Sequence, residues 1–201
     1  MPPGHVAATW GVAAVLQQNY PRLARLDFRL LALSALAADL IDKPLALSLF
    51  TEAQTSQLMA HSLLLNLALL LLSLLFRPRA LPYVLAFTFH LAADRMWNHP
   101  QSFWWPLYGW DQFWIYKPMN TPGVMVNVYL DIIYRYPQVW VTELIALLTL
   151  LWLACRSKLY RWAGLRRFIS SGYLTISQPD GPCPGHQGAR LPTSTRSTSH
   201  S

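Results

Sequence analysis

Seven ionisable side chains lie in otherwise apolar surroundings: His5, Asp39, Asp42, His61, His90, Asp94 and Glu143. An aspartate at the centre of a membrane helix costs roughly 2.5–3.5 kcal/mol on insertion scales, so three without partners cost on the order of 8–10 kcal/mol. Metal ions, ion pairs or water can each offset that cost. Asp39 and Asp42 are three residues apart and His90 and Asp94 four apart, so on helices each pair shares a face. Ligands of one ion must point into one cavity, and neutral imidazoles with carboxylates suit zinc or another divalent transition metal. The candidate metal ligands are therefore His5, Asp39, Asp42, His61, His90 and Asp94, with the number of ions left open. Each residue also has an ordinary reading: Asp39 can pair with Lys43, Asp94 precedes Arg95, and His61 beside Ser62 can open a helix. Taken singly, those readings are the better ones; for the whole set at one depth, a shared site is.

The elements that position these residues follow from composition. The chain has 201 residues, 53% hydrophobic and 12% charged, about half the charged fraction of a soluble domain. Apolar residues come in blocks, 30–40, 63–76, 81–89 and 139–155, each approaching, with its neighbours, the roughly 20 residues that cross a bilayer. The expected fold is all-α, a polytopic helical membrane bundle of about five helices over residues 1–170, with a disordered polar tail at 171–201. The helices are expected at about 5–18, 27–43 (ended or kinked by Pro44), 58–76, 81–97 and 138–155. Residues 45–57 read as a connection dipping into the interface. Residues 98–137, with Trp104, Trp105, Pro106 and Trp110, read as a structured loop on the bilayer.

The charge of +7 does not point to nucleic acid, because the cations fall between apolar blocks. Ten lie in the segments around 19–29, 77–79 and 156–167, and four, Lys43, Arg95, Lys117 and Arg135, lie in the alternate segments. That asymmetry predicts an external N-terminus and a cytoplasmic C-terminus, and it puts all seven ionisable residues near the outer leaflet. Cys155 and Cys183 have no metal or disulfide spacing. Residues 5–17 are too short and too mixed for a cleavable signal.

His5, the run Ala37 to Asp42, His61-Ser62, His90 to Asp94 and Trp105 to Gly109 together resemble the bacterial membrane-bound metal-dependent hydrolase family, itself distantly similar to zinc-dependent phospholipase C and nuclease P1 enzymes. The resemblance spans about residues 5 to 155. It implies an inner-membrane location and metal-ligand or near-site roles for His5, Asp39, Asp42, His61, His90 and Asp94, with the Trp-Pro turn closing the site. Two positions depart from the pattern: Ala38 stands where a proline is usual, and Leu58-Met59-Ala60 replaces the usual His-Arg, which implies fewer ions.

The leading expectation is a hydrolase of the outer leaflet cleaving an ester or phosphodiester, with a lipid or lipid-linked substrate. Asp42 or Asp94 would act as general base and Lys43 would steady an anionic phosphate; His99 and Asp111 are reserve candidates. The alternative is metal or proton transport or sensing by the same residues.

Overall fold

The computed structural model describes residues 2–20, 23, 25–50, 55–110 and 122–174. Every regular element among the described residues is helical, with eight α-helices: α1 (Pro2–Asn19), α2 (Phe28–Ser48), α3 (Leu63–Phe76), α4 (Leu81–Ala93), α5 (Pro100–Phe103), α6 (Pro122–Arg135), α7 (Pro137–Arg156) and α8 (Trp162–Ser171). Asp111, Lys117, residues 51–54 and the tail from 175 onward lie outside them.

Asp27 starts α2 as its N-cap, accepting from the backbone N–H groups of Arg29 and Leu30, which satisfies two of the donors a helix start leaves open. The expected stop at Pro44 does not occur, and α2 continues to Ser48. Proline removes only the bond to the carbonyl four residues back. Beyond it the last turn is held by Ser48 Oγ donating to the Pro44 carbonyl and by Ala46 packing on Leu58.

Five helices set the layout. Trp10 Nε1 donates to the Phe28 carbonyl at 2.8 Å and His5 lies beside His90, so α1 runs antiparallel to α2. α4 runs in the same direction as α2: Tyr83 Oη accepts from Asp27 N and His90 Nδ1 reaches the Ala35 carbonyl. α3 packs on α4, and α7 runs alongside α1, with the Glu143 carboxylate against Gly4 and Thr149 against Gly11. At Gly4 a Cβ would lie 3.1 Å from Glu143 Oε1, so a side chain there would need that carboxylate to shift by a few tenths of an ångström.

α3 has an inverted pattern. Its buried residues are Asn66 and Ser73, while Leu67, Leu71, Leu72, Leu74, Leu75 and Phe76 are exposed. α7 likewise exposes Leu144, Ile145, Leu147, Leu148 and Leu151. Among the described residues α7 is the one helix both long and apolar enough to cross a membrane, and α3 is apolar but shorter, at 14 residues.

The boundaries differ from expectation at three further places. The apolar stretch before residue 63 opens with a 3-10 turn, Met59–His61. α4 stops at Ala93 because Arg95 takes a left-handed backbone, φ 52°, a conformation that ends helices. The segment read as a loop contains α5 and α6. An additional amphipathic helix, α8, follows α7 and docks on the start of α2: Phe28 N donates to the Gly172 carbonyl, and Phe168 meets Trp10 edge-on at 5.8 Å.

Candidate metal centre

Asp39 sits on α2, His61 in the 3-10 turn before α3, and His90 and Asp94 at the end of α4, and their ligand atoms all lie within 4.8 Å of one another. His61 Nε2 is 3.8 Å from Asp39 Oδ1 and 3.8 Å from Asp94 Oδ2. His90 Nε2 is 3.9 Å from Asp39 Oδ1 and 3.3 Å from Asp94 Oδ2. Nitrogen and oxygen atoms around one tetrahedral zinc stand about 3.3 Å apart, given bond lengths of roughly 2.0–2.1 Å. The four nitrogen–oxygen distances of 3.3–3.9 Å come near that spacing, while the ligand atoms as a set extend to within 4.8 Å of one another, so an ion would have to draw them together by up to about 1.5 Å.

The outer nitrogens of the two imidazoles decide which way the inner ones face. His90 Nδ1 lies 2.7 Å from the Ala35 carbonyl, which can only accept, so Nδ1 carries a proton, and in the neutral ring Nε2 presents a lone pair. His61 Nδ1 lies 2.7 Å from Asp42 Oδ2, with the same consequence. Both Nε2 atoms are buried, and neither has a hydrogen-bond partner. Two orphaned nitrogens aimed at two carboxylates are a donor set that fits a divalent ion.

Asp42 is not placed as a direct ligand or as a base open to substrate. It is fully buried. Its carboxylate accepts from the backbone N–H groups of Leu58, Ala60 and His61 and holds the His61 ring. It shapes the turn that carries His61. The three-residue spacing from Asp39 puts both carboxylates on one side of α2, but Asp42 is taken up by the turn and meets the cluster only at the Nδ1 side of His61.

His5 stands at the edge, its Nε2 3.0 Å from Asp94 Oδ1 and its ring centroid 4.2 Å from that of His90. Lys43 Nζ is 2.6 Å from Asp39 Oδ2. The ordinary ion pair therefore exists, and it leaves Asp39 Oδ1 toward the histidines. His99 lies close enough to feel the site: burial holds its imidazole below the ordinary value, the Asp94 carboxylate partly offsets this, and His61 adds to the lowering. Glu143 is near the start of α1, outside the cluster.

Besides Ser62, several supporting residues were not singled out from the sequence. Gln57 Nε2 donates to Asp94 Oδ2 at 3.4 Å. Asn66 Nδ2 donates to the carbonyls of Ala60 and Ser62, bracing the turn. Ser62 Oγ donates to the Trp105 carbonyl and Ser102 Oγ to the Gln57 carbonyl, tying the Trp-Pro segment over the site. Asn66 is buried in the middle of a leucine-rich helix, which is the one cue that could have singled it out. Comparison of the chain with known protein families, with curated proteins and with solved structures returns no match.

Proposed function

We propose that this is a polytopic membrane protein that binds a divalent transition metal, zinc by ligand type, and uses it to hydrolyse an ester or phosphodiester at the outer face of the bilayer. The observation that carries the reading is the pair of buried Nε2 lone pairs of His61 and His90, fixed in that tautomer by Asp42 and by the Ala35 carbonyl and directed at Asp39 and Asp94. The polytopic reading rests on the inverted burial of α3 and the apolar exterior of α7. With 21 residues, α2 is about 31 Å long at 1.5 Å per residue, close to the thickness of a bilayer core.

A divalent ion supplies Lewis acidity, activating water and polarising an ester or phosphoryl oxygen. Asp94 is the better base of the two carboxylates named from sequence, since it is partly exposed while Asp42 is sealed. Lys43, also partly exposed, would hold an anionic phosphate next to Asp39. Exposed Trp97, Leu107, Tyr108 and Trp110 border the segment that closes over the site, and such side chains favour the membrane interface. They fit a lipid or lipid-linked substrate.

The test is metal analysis of the purified protein together with hydrolysis of phosphodiester and phospholipid substrates with and without chelator. Stoichiometric metal and chelator-sensitive cleavage are expected. Bound metal with no cleavage over a broad panel would transfer the site to metal transport or sensing.

A further inference from the structure

At the opposite end of α2 from the metal cluster, the segment 156–174 carries Arg156, Lys158, Arg161, Arg166 and Arg167 and no acidic residue. Lys158, Arg161, Arg166 and Arg167 are all exposed. Within it α8 has two apolar sides. Phe168 turns inward onto Trp10 and the cluster around Phe28. Trp162 and Ile169 turn outward, 74% and 59% exposed. Trp162, Arg166 and Ile169 are spaced four and three apart and form one outward stripe, apolar at both ends and basic between.

The position of this stripe is set by the fold. The apolar exterior of α7 continues to Leu151 and Trp152 and ends at Arg156, and α8 begins six residues later. The start of α2 holds the far end of α8: Phe28 N bonds the Gly172 carbonyl and the Arg29 guanidinium bonds the Ile169 carbonyl. α8 is therefore anchored where the apolar surface of α7 stops, with aromatic and aliphatic side chains and four exposed cations directed away from the protein. An amphipathic helix of this make-up seats its apolar side chains among lipid headgroups and pairs its cations with anionic ones.

We propose that α8 is a surface helix that docks on an anionic phospholipid headgroup layer, through Trp162 and Ile169 in the interface and Arg161, Arg166 and Arg167 on lipid phosphates. This rests on the membrane-spanning reading of α7 and is independent of the metal. The experiment uses the full chain in lipid nanodiscs of phosphatidylcholine alone or with phosphatidylglycerol. Spin labels are attached at Ile169→Cys, or at Leu148→Cys on α7, in a Cys155→Ser, Cys183→Ser background, and accessibility to oxygen and to a water-soluble nickel chelate is measured. The expected result is an oxygen-accessible label at position 148 in both discs. At position 169 the label should be shielded from nickel when phosphatidylglycerol is present, with the shielding lost in R161Q/R166Q/R167Q, each cation strengthening the association about fivefold. A nickel-accessible label at 169 in both discs, with 148 still in lipid, overturns this proposal alone and frees the stripe for a protein partner. Shielding that ignores lipid charge or survives the triple variant also overturns it. A nickel-accessible label at 148 removes the spanning reading and this proposal with it.

Discussion

His61 Nδ1 lies 2.7 Å from Asp42 Oδ2, and the same carboxylate accepts the backbone N–H groups of Leu58, Ala60 and His61. One buried aspartate thus builds the turn and sets the tautomer of the histidine the turn carries. Asp42→Asn keeps the shape but turns an acceptor into a donor facing donors. Metal affinity should fall about 10–100-fold, as for other groups that orient ligands, and stability should drop by about 1–3 kcal/mol for the unsatisfied groups. Competition titration against a chelating dye and thermal melts read the two effects; wild-type affinity in this variant would remove the orienting role.

Direct ligands should behave differently. His90→Ala and Asp94→Asn should each lower bound metal about tenfold or more, measured by elemental analysis of purified protein, with helix content by circular dichroism unchanged. Unchanged metal in both would leave the cluster as ion pairs alone, of the kind Asp39 makes with Lys43.

The arrangement of basic residues, ten against four across alternate segments, predicts a cytoplasmic reporter after Arg167 and an external one inserted near Gln54. The metal cluster and α8 lie toward opposite ends of α2. A cytoplasmic Gln54 would invert the topology and move the metal cluster to the inner side.

The α2 start offers a pH test. The hydrogen bond from the Arg29 side chain, with smaller help from the backbone N–H groups of Arg29 and Leu30 and the Arg29 charge, holds the Asp27 carboxyl below the usual carboxylate range against an opposing effect of burial. A carboxyl lowered in the folded state contributes stability in full above its unfolded pKa of about 3.9, and that contribution is lost as pH falls through the lower folded value. Asp27→Asn should therefore cost stability at neutral pH, within the roughly 0.5–2 kcal/mol range of cap losses, with the gap to wild type closing below about pH 4. A pH-independent gap would assign the loss to shape.

Gly172 tests the same junction without titration. Its φ is +73°, and a Cβ there would stand 2.0 Å from Asp27 Oδ1. Gly172→Ala should loosen α8 from α2 and cost on the order of 1–3 kcal/mol, read as faster proteolysis between Arg156 and Arg167 and a lower melting temperature. Wild-type behaviour would show that α8 is held elsewhere.

The chain's apolar blocks were legible in the sequence because they are local. The 3.6-residue period puts His90 and Asp94 on one face, and proline or charge marks several helix ends, though not at Pro44, which α2 passes. Those same rules put His5, Asp39, Asp42, His61, His90, Asp94 and Glu143 at one level, and of these the fold brings the ligand atoms of Asp39, His61, His90 and Asp94 within 4.8 Å. Local rules could not separate Asp42 from Asp39, since both lie on one side of α2. What separates them is the turn 59–61, which packs across α2 and takes Asp42 as its hydrogen-bond acceptor while leaving Asp39 Oδ1 to the histidines. Nor could they locate α8, whose ten residues have no span-length apolar run. Its place comes from Phe168, Gly172 and the α2 start meeting across more than 130 residues of chain, a contact that exists only once the helices have packed.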